Sequence, residues 1–111
     1  MIATGNSIAI SAGPTLSISN VATGTNTFRF LNANATAYSY VGVFSTYAQA
    51  AAANYPVTGD TIGGSLIPVA PTWSEIITGN FGVQPNPGTV YVAAITSGSS
   101  GQVVIATPLA L

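Results

Sequence analysis

The chain has 111 residues, of which one is basic and two are acidic, and it contains no His and no Cys. Charged residues make up only 3% of it, against about 25% in an average soluble domain. A single cation cannot neutralise the several phosphates of a nucleic-acid site or an anionic membrane surface, so both partner classes are excluded. The absence of Cys excludes disulfides and thiolate metal sites.

The first 19 residues have a weaker pattern than the rest, although Ile8 and Ile10 alternate with small residues. We expect residues 1–19 to form an N-terminal arm or edge strands, and residues 20–111 to form one β-sandwich domain. This N-terminus lacks the basic and long apolar regions of a signal peptide, and no apolar stretch reaches the roughly 20 residues of a membrane span. We therefore expect the protein to be made and used without secretion.

Alternating patterns dominate the remaining chain. "NTFRFLN" places Phe28 and Phe30 on one face and Arg29 on the other, and "TVYVAAITS" (residues 89–97) alternates in the same way. "QVVIAT" (residues 102–107) is a short run rich in β-branched residues. Short runs of this kind, separated by Gly, Pro and Asn turn signals, predict an all-β fold, either a single antiparallel β-sandwich or a barrel-like domain.

One stretch departs from this pattern. "STYAQAAAANYP" (residues 45–56) is rich in Ala and ends at Pro56. It predicts either a short helix that stops before the proline or an irregular loop insertion. Further along, Pro68 and Pro71 predict an edge strand or a kinked strand before "TWSEIIT".

The single cation and one of the acids both fall in the middle of predicted strands. "TWSEIIT" (residues 72–78) alternates, so Trp73, Glu75 and Ile77 share one face. Because a partly buried charge needs a partner, we expect Arg29 and Glu75 to form a structural ion pair. The alternative is that both are exposed on different strands, where each contributes little to stability.

The residues for acid–base chemistry are nearly absent. His, Cys and Lys are missing, and the two acids, Asp60 and Glu75, lie far apart in sequence. Asp60 falls in the Gly-rich stretch "TGDTIGGS", which has neither the Lys of a phosphate-binding loop nor the acidic alternation of a calcium loop. The hydroxyl side chains have no base to activate them. We expect no enzymatic activity, no bound metal and no cofactor.

Aromatic residues cluster in the middle of the chain, at Tyr38, Tyr40, Tyr47 and Tyr55. Exposed tyrosine rings can stack on sugars. They are also common in cores and at subunit interfaces. Both interpretations stay open.

Several structural motifs, taken in order, resemble small tailed-phage virion proteins of the head decoration (cement) type, which have a β-sandwich core. The resemblance covers residues 25–108 approximately and departs from the pattern in the long insertion at residues 47–64 and in the "PLAL" ending. The first motif is a strand with an aromatic residue, Arg, an apolar residue and Asn, here Phe28, Arg29, Phe30 and Asn32. The second is an apolar–Pro–Val step followed by a strand with Glu, here Ile67, Pro68, Val69 and Glu75. The third is the "TVYVAAI" strand (residues 89–95), followed by a turn with Gly98 and Gly101 and a last strand that ends in Thr107 and Pro108.

The resemblance implies a structural protein made in the host cytoplasm that binds the outer capsid surface of the virion. Its partner would be the major capsid protein, and we expect a homo-oligomer on the particle, with a trimer as the working guess. Expected contact segments are residues 1–19, 45–56 and 80–88, with interface residues Ile8, Ile10, Tyr47, Tyr55 and Phe81. The alternative is a phage tail or fibre module that contacts glycans through its Tyr-rich surface.

Overall fold

The computed structural model describes residues 2–11, 13, 15–22, 25–53, 66–79, 88–96 and 103–110. Within these ranges the chain is mostly β-structure, with a single short helix, α1 (Tyr47–Ala51). In chain order the strands are β1 (Ile2–Ala3), β2 (Ile8–Ser11), β3 (Ser17–Ala22), β4 (Thr27–Asn32), β5 (Ser39–Phe44), β6 (Ile67–Val69), β7 (Ser74–Thr78), β8 (Thr89–Thr96) and β9 (Val103–Ala110).

The strands form two antiparallel sheets. Sheet A has the order β1–β9–β4–β7, with β2 also paired to β9, and sheet B has the order β3–β8–β5–β6. Strands β1 and β2 follow the same edge of β9 in succession, because Ala3 lies opposite Leu109 and Ile8 lies opposite Ala106. They act as one interrupted edge strand, so the arrangement is that of a jelly roll, eight antiparallel strands in two facing sheets.

The main core lies between the two sheets. Phe28 and Phe30 point inward from β4 and are fully buried, with their ring centroids 6.2 Å apart. Sheet B faces them with Val41, Val90 and Val92. The alternation predicted for these strands is confirmed, since every second side chain enters this core.

A second apolar cluster covers the outer face of sheet B. Ala50 of α1 and Leu66 pack over Ala93 of β8. Gly42 lies beneath them, and a Cβ atom there would stand 2.7 Å from Cε2 of Phe44 and 3.1 Å from Cδ2 of Leu66. A side chain at this position would therefore force the Phe44 ring or Leu66 to shift.

The expected fold class is confirmed: the protein is an all-β, sandwich-like domain. The Ala-rich segment contains α1, whose N-cap Thr46 accepts a hydrogen bond through Oγ1 from the backbone N–H of Gln49 (3.2 Å). Strand β6 is an edge strand with Pro68 at its centre, as its sequence predicts. The chain before residue 20 supplies β1 and β2 to sheet A and the first half of β3 to sheet B.

Candidate functional site

Arg29 lies on the outer face of sheet A. It stands opposite Ile76 of β7 and Thr107 of β9, and its side chain is exposed. Its neighbours Phe28 and Phe30 fill the core. Because successive side chains of a strand point to opposite faces, the guanidinium is directed away from the sandwich interior.

Glu75 has the opposite orientation. It stands opposite Phe30, so it has the inward orientation of its strand. The Glu75 side chain is nevertheless exposed, because β7 is the last described strand of sheet A and has no neighbour beyond it in the described chain. Of the residues of β7, only Ile77 is buried. Trp73, which shares this orientation, is exposed as well.

The structure does not bring Arg29 and Glu75 together. Side chains directly opposite each other in a sheet share a face, and Arg29 stands opposite Ile76, one residue away from Glu75. That offset directs the two charges to opposite faces of sheet A. The expected partly buried ion pair is therefore not formed, and each charge is exposed on its own strand.

The residues expected at a partner interface have different environments. Ile10 is only 2% exposed and belongs to the main core, so it is not available to a partner. Ile8 is half-buried and packs against the same core. Tyr47 is 60% exposed and remains a candidate. Tyr55 and Phe81 lie outside the described residues.

One end of the sandwich, here called the α1 end, carries three exposed large apolar side chains, while Tyr38 and Trp73 are exposed at the opposite end. Strands β1, β4, β6 and β8 begin there and β3, β5, β7 and β9 end there, as the strand registers show. Ile2 is 67% exposed, Tyr47 is 60% exposed and Ile67 is 45% exposed. Strand β5 ends at this end before α1, and β7 ends and β8 begins there. Of the expected contact segments 45–56 and 80–88, residues 54–56 and 80–87 lie outside the described residues.

The outer face of sheet B carries an aromatic surface beside the α1 end. The rings of Tyr47 and Tyr91 meet edge to face, with centroids 6.2 Å apart and an interplanar angle of 81°. Tyr40 and Phe44 are half-buried on the same face. Tyr91 was not singled out from the sequence, because its place opposite Phe44 depends on the β5–β8 register. Tyr38, 49% exposed, precedes β5 at the other end.

A buried polar network joins the two sheets at the end opposite α1. Of its side chains, Asn32 was singled out from the sequence, but not as part of a network. The Nδ2 atom of Asn32 donates to the carbonyl oxygens of Ala37 (2.9 Å) and Val69 (3.0 Å). Its Oδ1 atom accepts hydrogen bonds from the backbone N–H (3.0 Å) and from Nδ2 (2.6 Å) of Asn34. The backbone of Asn32 also pairs with the β6–β7 link, receiving a bond from the Thr72 N–H (3.0 Å).

Asn34 extends this network into β9 and sheet B. Its Oδ1 atom accepts from the backbone N–H of Val103 (3.0 Å), and its Nδ2 atom donates to Oγ of Ser39 (3.2 Å). Ser39 in turn shares a hydrogen bond with Thr96 (2.8 Å). No buried side-chain nitrogen or oxygen among the described residues lacks a partner. The network is therefore satisfied within the chain, and its role is structural.

The described part of the chain holds no group of three or more His, Cys, Asp or Glu side chains that could bind a metal ion. No helix in these ranges is long and apolar enough to cross a membrane. No protein-family model, curated protein or solved structure matches the chain. The candidate partner surfaces are the α1 end and the aromatic face of sheet B.

Proposed function

We propose that this chain is a structural protein of a phage particle that binds the outer surface of the capsid and stabilises it as a decoration, or cement, protein. The observation that carries the proposal is a nearly uncharged chain with exposed large apolar side chains, of which Ile2, Tyr47 and Ile67 lie at the α1 end. Its partner would be the major capsid protein, and it acts without catalysis and without a cofactor. It is made in the host cytoplasm and used on the virion.

The proposed interface works by burial of neutral surface. Ile2, Tyr47 and Ile67 are exposed at the α1 end, and each Å² of apolar area removed from water contributes about 25 cal/mol. With 3% charged residues, little electrostatic repulsion keeps copies apart, which suits copies packed side by side, a trimer being the working guess. Many identical contacts across a shell reinforce each other through multivalency.

The fold class agrees with this proposal but does not decide it. Jelly rolls occur in viral capsid proteins and also in lectin domains. Because one fold can serve unrelated functions, the choice between these two classes rests on the surface residues.

A glycan-binding module of a phage tail or fibre is the second candidate. It is favoured by the edge-to-face contact of Tyr47 and Tyr91 on a face that also carries Tyr40. Tyrosine rings with accessible faces and hydroxyl groups are suited to stacking on sugars. In this case the same Tyr47 would contact a soluble oligosaccharide in place of a protein shell.

Both candidates can be tested with particles stripped of this protein. Tyr47→Ser and Ile67→Ser should each weaken rebinding by about tenfold or more, the equivalent of about 1.4 kcal/mol of lost apolar burial. Tyr38→Ser is the matched control, because Tyr38 is also about half exposed but lies at the other end. Equal binding by all variants would contradict the capsid proposal, and release of the protein by oligosaccharides would favour the glycan module.

A further inference from the structure

The outer edge of β7 is open in the part of the chain that the structure describes. No other described strand pairs with β7 on the side away from β4, and Ser74, Glu75, Ile76 and Thr78 are all exposed. The backbone of an exposed edge strand can pair with a strand of another chain. The edge of β7 is therefore a surface on which strand pairing is possible.

The hydrogen bonds to β4 show which backbone groups face the open side. The Gly79 N–H donates to the Asn26 carbonyl oxygen (2.9 Å), and the Trp73 carbonyl oxygen accepts from the Asn32 N–H (2.9 Å). Since residues of an antiparallel strand bond alternately to either side, the odd-numbered residues of β7 bond to β4. The even-numbered residues, with Ile76 in the middle, direct their N–H and C=O groups to the open side.

This edge is self-complementary. A second copy can align its own β7 antiparallel to the first across a two-fold axis, with Ile76 opposite Ile76 and Glu75 opposite Ile77 of the other copy. Such a pair would join the two A sheets into one continuous sheet. The hydrogen-bonding pattern and the strand length both permit it.

We infer that the edge of β7 can pair with β7 of a second copy of this chain, and that the charge of Glu75 prevents this pairing in the wild type. In the two-fold pair each Glu75 would lie beside the apolar Ile77 of the other copy and lose water from its carboxylate. The two carboxylates would also stand on one diagonal, about 7–8 Å apart, where like charges repel. An inward-oriented charge on an edge strand is a known device against such pairing.

Two other edges of the sandwich have features of a different kind that hinder pairing with a strand of another chain. Strand β6 has only three residues, and Pro68 at its centre has no N–H to donate. The edge formed by β1 and β2 is interrupted at residues 5–7, between the Thr4 N–H, which still donates to the Pro108 carbonyl oxygen of β9 (3.0 Å), and the start of β2 at Ile8. The carboxylate on β7 would be a third such feature, whereas β3, the other described edge of sheet B, has six residues and neither a charge nor a proline.

The test compares the assembly state of Glu75→Val, Glu75→Lys and the wild type. Sedimentation velocity over a wide concentration range should show a new, concentration-dependent species twice the wild-type mass for Glu75→Val only. Glu75→Lys is the matched control, because it keeps a charge at this position and should behave as the wild type does. Glu75 is exposed, so neither substitution disturbs the core.

A second variant identifies the edge that pairs. Adding Ile76→Pro to Glu75→Val removes an N–H that faces the open side without breaking a bond to β4, so the new species should disappear. Amide hydrogen exchange at Ser74, Ile76 and Thr78 should slow in Glu75→Val relative to the wild type. In the double variant, where position 76 has no N–H, the amides of Ser74 and Thr78 should again exchange at the wild-type rate. The inference is overturned if Glu75→Val shows no new species, if Glu75→Lys forms it equally, or if Ile76→Pro leaves it unchanged.

Discussion

At the scale of single residues, the positions of Arg29 and Glu75 show how strand register determines the environment of a side chain. The alternation of each strand could be predicted from its own sequence, and both alternations are confirmed. The relative register of β4 and β7 could not be predicted, because it depends on contacts between distant parts of the chain. A shift of one residue exchanges the two faces, which is why the expected ion pair fails.

Arg29→Ala should change the free energy of unfolding by less than about 1 kcal/mol, because the side chain is exposed. Chemical denaturation of the single variants and of Arg29→Ala with Glu75→Ala should give a coupling energy near zero. A loss of about 3–5 kcal/mol for Arg29→Ala, with strong coupling to Glu75, would mean that the two charges form a buried pair after all.

The Asn32 network should carry far more stability than either charge. Asn32→Ala leaves several buried groups without partners, each costing about 1–3 kcal/mol. We expect thermal and chemical denaturation to show a loss of at least about 2 kcal/mol. The control Asn20→Ala, at an exposed position of β3, should stay within about 0.5 kcal/mol of the wild type. Equal effects of the two substitutions would contradict the structural role of the network.

At the scale of elements, the strands were more predictable than the helix. Period-2 alternation and turn residues identified β4, β7 and β8, because each of these signals is local. The Ala-rich segment left a helix and a loop equally open, because a helix as short as α1 depends on tertiary packing for its stability. That packing involves Leu66 and Ala93, which are distant in sequence.

Gly42 is the residue on which the packing of α1 and Leu66 over sheet B depends. Gly42→Ala places a methyl group against the Phe44 ring and should cost about 1–3 kcal/mol by overpacking. In a Phe44→Leu background the same substitution should cost clearly less, because the ring atoms that it meets are gone. Denaturant titrations of the four proteins measure this difference. An equal cost in both backgrounds would show that the ring is not the obstacle.

At the scale of the whole molecule, composition indicated a neutral interaction surface, but only the structure shows where apolar side chains are exposed. The order of strands in the two sheets joins segments from opposite ends of the chain, such as β1 and β9. No local pattern predicts such pairings. That Ile2, Tyr47 and Ile67 are exposed at the same end could not be predicted from the sequence either, since it follows from that topology.

Binding to the particle should depend only weakly on salt. The chain offers one basic and two acidic residues, so an interface made by it has few ion pairs to screen. A titration of purified particles from low to molar sodium chloride should leave the protein attached. Progressive release with rising salt would contradict an interface held together by burial of neutral surface.

Cryo-electron microscopy of purified particles tests the central claim most directly. The proposed function predicts density for this sandwich on the outer capsid surface, with the α1 end directed toward the major capsid protein and Tyr47 in the contact. A particle that lacks the protein should show the same sites empty. Density for this chain at a tail or fibre, or on the capsid with the α1 end directed to solvent, would contradict it.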